Sequence, residues 1–164
     1  MRISTLVIGT VLALALGGCA TQSGSSAGRG AEVASPPRAT LESEQRRFAD
    51  LFRGTPVVFE MQVDGSLRVT VPLAFSFDKG RFAVKPPLGA VLDRVARSQR
   101  PERTRFLVMA PADPRSKGLL LATERATSAR DYMVARGVEA TRFSIAASGS
   151  GDSVVIVVAD PSAH

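Results

Sequence analysis

The chain has 164 residues, of which 45% are hydrophobic and 22% charged, so it can bury a core and is not globally disordered. A single cysteine, Cys19, and a single histidine at the last position argue against an internal disulfide, a metal cluster and histidine-based catalysis. The formal net charge of +6 favours acidic partners, such as a phosphate-bearing membrane face or an anionic polymer. We expect no nucleic acid partner, because no aromatic residues are interleaved with the basic ones.

Residues 1–18 have the pattern of a bacterial signal peptide, with a basic start and an apolar stretch too short for an ordinary transmembrane helix. Residues 16–19, Leu-Gly-Gly-Cys, resemble the lipobox of bacterial lipoproteins, which implies a lipid anchor on Cys19. Two or three acyl chains, palmitate among them, anchor a protein stably. Ala20 follows, where an Asp would imply retention at the inner membrane, so this resemblance implies the outer membrane, facing the periplasm. An ordinary signal peptide with an incidental cysteine is the alternative.

Residues 20–40 are rich in Ser, Gly, Ala and Pro, which predicts a flexible tether. The chain therefore divides into a signal peptide (1–18), a lipidated cysteine with its tether (19–40) and a folded domain (41–164). The predicted elements of that domain are a helix over about 41–52 with Thr40 as its N-cap, strands 56–63 and 67–72 joined by Asp64-Gly65, a helix from Pro86 to Pro101, a strand 103–110, a helix over about 119–136, and strands 143–146 and 154–158. Their order predicts an α+β sandwich, a small mixed sheet with helices on one face.

An acid and a basic residue belong to one strand–loop–helix unit of this sandwich. Asp113 follows the strand 103–110, and Arg125 lies on the next helix. An Asp can bind an ammonium and an Arg a carboxylate by charge-assisted hydrogen bonds, so the pair suits a zwitterion. The alternatives are a turn residue before Pro114 and a solvated helix residue. Asp78, which we expect to follow a β-strand, is a weaker candidate for the rim of the same site, with a loop cap as the alternative.

Residues 56–158 resemble the OmpA-like C-terminal domain of peptidoglycan-associated lipoproteins, outer-membrane porin anchors and flagellar stator proteins. The stretches that carry the resemblance are 75–78 (Phe-Ser-Phe-Asp), 84–86 (Val-Lys-Pro), 92–93 (Leu-Asp), 112–113 (Ala-Asp), 121–126 (Leu-Ala-Thr-Glu-Arg-Ala), 132–138 (Tyr-Met-Val-Ala-Arg-Gly-Val) and 142–143 (Arg-Phe). The resemblance implies non-covalent binding of diaminopimelate in the peptidoglycan stem peptide. The residues that match the ligand-binding Asp and Arg of the family are Asp113 and Arg125.

The sequence departs from the family around this site. Ala110-Pro111 stands where the family has Gly-His, the loop from Asp113 to Arg125 is shorter, and the Asn-Arg-Arg before the last strand is absent. Two functions follow: a peptidoglycan-binding lipoprotein that tethers the membrane to the cell wall, or a degenerate scaffold that docks another envelope protein. We expect neither an enzyme nor a cofactor, since the sequence offers no nucleophile–base constellation.

Five arginines lie close together in the sequence between residues 94 and 105. They are Arg94, Arg97, Arg100, Arg103 and Arg105. A solvated face is the simplest interpretation of such a charge cluster. A contact with lipid phosphates or with anions linked to glycans is the alternative.

Overall fold

The computed structural model describes residues 40–113, 118–148 and 151–161. These residues belong to one compact unit, Pro37–His164. The predicted signal peptide, the predicted lipidation site Cys19 and the tether up to residue 39 lie outside the described residues. No helix within the described ranges has the length and apolar character needed to cross a membrane.

The described residues form a mixed α+β structure. Its elements are helix α1 (Leu41–Leu51), strands β1 (Val58–Met61) and β2 (Leu67–Pro72), helices α2 (Leu73–Ser76) and α3 (Pro86–Gln99), strand β3 (Arg105–Pro111), helix α4 (Leu119–Val134), a 3-10 turn (Ala140–Arg142), and strands β4 (Phe143–Ser148) and β5 (Ser153–Ala159). The strands build a five-stranded sheet in the order β1-β2-β5-β3-β4, in which only the β3–β4 pair is parallel. The predicted fold class, a small mixed sheet with helices packed on it, is confirmed.

Local sequence signals set the ends of several elements. The side chain of Thr40 accepts a hydrogen bond from the Ser43 amide at 3.3 Å, so it caps α1 as predicted. Gly65 has φ +78° in the turn between β1 and β2, a conformation that glycine adopts without strain. Pro86 opens α3, where its missing N–H costs no helical hydrogen bond.

The core lies between one face of the sheet and the helices. In the sheet register, Val69 of β2 and Val108 of β3 both lie opposite Ile156 of β5, and all three are fully buried. Leu92 of α3 and Ala126 of α4 belong to the same cluster of buried residues. Burying each large aliphatic side chain contributes roughly 1.5–3 kcal/mol, so this shared face holds α3 and α4 on the sheet.

The prediction that Asp78 follows a β-strand is wrong. Asp78 comes after the single helical turn α2 and one extended residue, Phe77. The hydroxyl of buried Ser76 donates to the Pro72 carbonyl at 3.0 Å, and the Leu73 amide donates to the Asp152 carbonyl at 2.7 Å. These bonds fix the turn and override the alternating Phe-Ser-Phe pattern, which is typical of a strand.

Candidate functional site

At one end of the sheet, β2 and β3 end and β5 begins. The register places Pro72, the last residue of β2, opposite Ser153, the first of β5, and β3 ends there at Pro111. We call this the upper end of the sheet. A cavity of about 660 Å³ opens there. It is lined by Pro72, Leu73, Ala74, Phe77, Lys79, Asp113 and Asp152.

The two residues singled out in the sequence lie in direct contact at this upper end. Arg125 Nη2 donates to Asp113 Oδ1 at 2.6 Å. The second carboxylate oxygen, Oδ2, accepts from the Gly80 amide at 2.7 Å. The hydrogen bond from Arg125 is the largest cause that lowers the pKa of Asp113 below its ordinary 3.8; it outweighs desolvation, and the Gly80 amide adds to it. Asp113 is therefore an anion at neutral pH.

Arg125 is wholly buried, with 0% of its side chain exposed. Its Nε donates to the Arg81 carbonyl at 2.9 Å, and its Nη1 donates to the Pro111 carbonyl at 2.9 Å. Its Nη2 donates to the Asp78 carbonyl at 3.1 Å as well as to Asp113. The interpretation of Arg125 as a solvated helix residue is therefore wrong.

The guanidinium of Arg125 joins three separate parts of the chain. It ties α4 to residues 78–81 and to the end of β3, because a buried charge must be paired and hydrogen-bonded. The Asp113 side chain is 13% exposed and lines the cavity, whereas the Arg125 side chain is fully buried and does not line it.

Asp78 contributes to this arrangement through its backbone. Its carbonyl accepts from Arg125, whereas its side chain is 71% exposed and pairs with Lys85 Nζ at 3.2 Å. The same Nζ donates to the Ala74 carbonyl at 2.9 Å. The Asp78 carboxylate is not among the groups that line the cavity.

Two charged residues that the sequence did not single out line the cavity beside Asp113. Lys79 is close enough for its charge to lower the pKa of Asp113. Asp152 accepts a hydrogen bond from the Ser153 hydroxyl at 2.9 Å. The available signal for both was position, since Lys79 lies in the loop between α2 and α3 and Asp152 directly precedes β5, which begins at the upper end of the sheet.

The described residues that line this cavity carry groups suited to binding a charged ligand. They offer carboxylates for an ammonium and the Lys79 ammonium for a carboxylate, next to an apolar wall that includes Leu73 and Phe77. Among residues 40–113, 118–148 and 151–161, no group of three or more His, Cys, Asp or Glu side chains is placed to hold a metal ion.

Comparisons with family models and with curated proteins find no match. Solved structures do match. The cell wall anchor of the T6SS from Pseudomonas aeruginosa is 20% identical with a TM-score of 0.56, over 75% of this chain and 98% of that chain. The periplasmic domain of Helicobacter pylori MotB (residues 90–256) is 18% identical with a TM-score of 0.55, over 67% of this chain and 83% of that chain. A putative MotB-like protein from Desulfovibrio vulgaris is 15% identical with a TM-score of 0.60, over 73% of this chain and 92% of that chain.

At these identities the likeness establishes the fold. The resemblance to the OmpA-like domain, drawn from short stretches of sequence, is confirmed at that level. The shared fold positions a strand end, a loop and a helix around Asp113 and Arg125.

Proposed function

We propose that this OmpA-like domain binds peptidoglycan non-covalently, through the free ammonium and carboxylate of diaminopimelate in the stem peptide. The observation that carries the proposal is the Asp113 carboxylate, which is ionised, held by two hydrogen bonds and open to a cavity of about 660 Å³. The similarity in fold to a structure titled as a cell wall anchor supports the same function.

In this proposal Asp113 accepts the ligand's ammonium and Arg125 donates to its carboxylate. Arg125 then has to exchange one of its present hydrogen bonds for the ligand. Its bond to the Asp78 carbonyl, at 3.1 Å, is the longest of the four and is the one we expect it to release. Ligand binding is thereby coupled to the hydrogen bond that holds residues 78–81 against Arg125.

The remainder of the chain extends the proposal to the whole protein. A lipid on Cys19 would anchor the chain in the outer membrane, with the domain facing the periplasm and bound to the wall. The protein would act as a tether that carries out no reaction, and the described residues that line the cavity supply groups for binding.

A pull-down of residues 37–164 with diaminopimelate-type sacculi tests the proposal. We expect Asp113→Asn to weaken binding at least about 10-fold, because an amide cannot form an ion pair with the ligand's ammonium. We also expect Arg125→Lys to weaken it, since an ammonium lacks the planar fork that meets a carboxylate. Both effects should persist at moderate salt.

The matched control is Asp131→Asn, which removes the same charge from an exposed side chain on α4 that pairs with Arg130. It should bind sacculi like the wild type. The melting temperature of each variant separates lost binding from lost folding. Wild-type affinity in folded Asp113→Asn would contradict the proposal, as would binding that moderate salt abolishes equally in every variant.

The burial of Arg125 favours a second candidate. All three nitrogens of Arg125 already donate hydrogen bonds within the fold, so its contact with Asp113 also fits a purely structural role. The domain would then be a scaffold that no longer binds peptidoglycan and docks another envelope protein. In that case the wild-type domain would not bind sacculi even at low salt, and Arg125→Lys would change its stability alone.

A further inference from the structure

The sheet has a lower end, opposite the cavity that contains Asp113. Strand β3 starts there at Arg105, which lies opposite Ala159, the last residue of β5. A second cavity, of about 380 Å³, opens at this end. The described residues that line it are Arg103, Arg105, Thr141, Arg142 and Pro161; three of these are arginines and none is acidic.

These three arginines differ in how firmly they are held. Arg142 is fixed: its Nε donates to the Thr104 carbonyl at 2.7 Å and its Nη2 to the Gln99 carbonyl at 2.9 Å. Arg103 and Arg105 are exposed, and neither forms an ion pair with any residue in the described ranges. Arg142 also feels the negative charges of Glu102 and Glu139, whereas Arg103 and Arg105 are paired with no described residue. One fixed cation that lines a cavity with two unpaired ones suits an anion with several oxygens, such as a phosphate.

The same end of the domain is where the tether arrives. Thr40, the first described residue, lines a neighbouring cavity together with Arg103 and Pro161. That neighbouring cavity, unlike the described lining around the three arginines, also contains acidic residues: Glu42, Glu102 and Asp160. Cys19 precedes Thr40 by only 21 residues. A chain of that length spans at most roughly 70 Å even when fully extended.

We propose that the surface formed by Arg103, Arg105 and Arg142 binds the phosphates of anionic phospholipid headgroups, on the membrane to which the proposed lipid on Cys19 would anchor the chain; the inference rests on that part of the proposed function. Three observations carry this: Arg103 and Arg105 form no ion pair with a described residue, the described lining of the cavity contains no acidic residue, and Thr40, at the end of the tether, lines the same neighbouring cavity as Arg103. The lower end then faces the membrane, and the cavity with Asp113 points away from it. This inference does not depend on the peptidoglycan proposal, since the two surfaces lie at opposite ends of the sheet.

Vesicle flotation of residues 37–164 tests the proposal. This fragment contains the complete hydrophobic core, and it lacks the expected lipid anchor, which would mask headgroup binding. We expect it to float with vesicles of phosphatidylcholine and phosphatidylglycerol and not with phosphatidylcholine alone. Changing Arg103→Ser and Arg105→Ser together should weaken binding to the anionic vesicles roughly 10-fold or more, since each basic residue near an anionic surface contributes substantially.

The matched control changes Arg46→Ser and Arg53→Ser, two exposed arginines of the α1 region, and removes the same net charge. It should bind the anionic vesicles within about 2-fold of the wild type, because long-range charge effects are screened by salt. Equal losses in the two double variants would overturn the proposal, since net charge alone would then explain binding. So would failure of the wild type to float with anionic vesicles.

A parallel sacculus pull-down distinguishes a wall polymer from a lipid surface. If the Arg103 and Arg105 double variant loses binding to sacculi while keeping its binding to vesicles, the surface contacts an anionic wall polymer and the proposal is wrong. Asp113→Asn should leave flotation unchanged, so failure of the peptidoglycan proposal and failure of this one give different results.

Discussion

At the scale of single residues, the contact between Asp113 and Arg125 is both a candidate binding site and a structural link. Arg125 is buried, and its removal would deprive three carbonyls of this donor and leave the Asp113 carboxylate with only the Gly80 amide. Breaking one side of a buried, hydrogen-bonded ion pair typically costs about 3–5 kcal/mol. Measurements on this pair therefore need a readout of stability beside the readout of binding.

The pH dependence of stability supplies such a readout. Arg125 and the Gly80 amide lower the pKa of Asp113 in the folded state below 3.8, its ordinary value in an unfolded chain. The stabilisation is therefore complete above 3.8 and is lost as the pH falls through 3.8 towards the folded pKa. We expect the melting temperature of the wild type to exceed that of Asp113→Asn at neutral pH, and the difference to shrink between about pH 5 and pH 3.

Thermal melting of both proteins across this pH range measures the effect. Every other carboxylate is common to the two proteins, so the difference between their melting temperatures isolates Asp113. A difference that stays constant down to pH 3 would show that the contact with Arg125 does not favour the ionised form of Asp113.

The sequence identified Asp113 and Arg125 but not the burial of Arg125. Its carbonyl partners belong to residues 14, 44 and 47 positions away along the chain. A backbone carbonyl has no signature in a sequence, because every residue carries one. The side chains that pair could thus be predicted, while the backbone groups that fix them could not.

At the scale of elements, the contact between α3 and α4 depends on a glycine. A Cβ added to Gly89 would lie 2.7 Å from Tyr132 Oη and 3.2 Å from its Cζ. Tyr132 is held in place by two contacts. The Arg136 guanidinium stacks 3.3 Å from the centroid of the Tyr132 ring, and the Tyr132 hydroxyl lies 3.4 Å from Asp93 Oδ2. The helices therefore approach as closely as the absence of a side chain at Gly89 allows.

We expect Gly89→Ala to destabilise the domain, although alanine is the better helix former. The gain in helix propensity is about 1 kcal/mol, whereas overpacking a tight contact costs about 1–3 kcal/mol. Urea denaturation should therefore show a net loss of about 1 kcal/mol in the free energy of unfolding. Adding Tyr132→Phe, which removes Oη, should restore part of this loss. A single variant as stable as the wild type would show that Tyr132 moves aside freely.

The elements themselves were predicted unevenly. The strand 67–72 has the predicted bounds, because strict alternation and the Asp64-Gly65 turn both mark it. Helix α2 was missed, since one turn is too short to show a helical period. The apolar run of β3 is typical of a strand buried on both faces, yet Leu107 and Met109 are only half-buried, because the helices pack on the other face of the sheet.

At the scale of the whole molecule, the two candidate surfaces lie at opposite ends of one rigid sheet. Strand β3 runs from Arg105 at the lower end to Pro111 at the upper end, a distance of about 20 Å for seven residues. Substitutions at sites so far apart, with no shared contacts, act additively. Each surface can therefore be removed without disturbing the other.

This separation predicts that the domain bridges a membrane and a wall even without its lipid. When residues 37–164 are mixed with fluorescent anionic vesicles and sacculi, we expect low-speed sedimentation of the sacculi to carry vesicles down with them. Asp113→Asn should abolish this co-sedimentation while leaving the domain on the vesicles, and the Arg103 and Arg105 double variant should abolish it while leaving the domain on the sacculi. The control pair Arg46→Ser and Arg53→Ser should bridge like the wild type. If vesicles still co-sediment with sacculi in either the Asp113→Asn variant or the Arg103 and Arg105 double variant, one surface binds both partners and the two-ended arrangement is wrong.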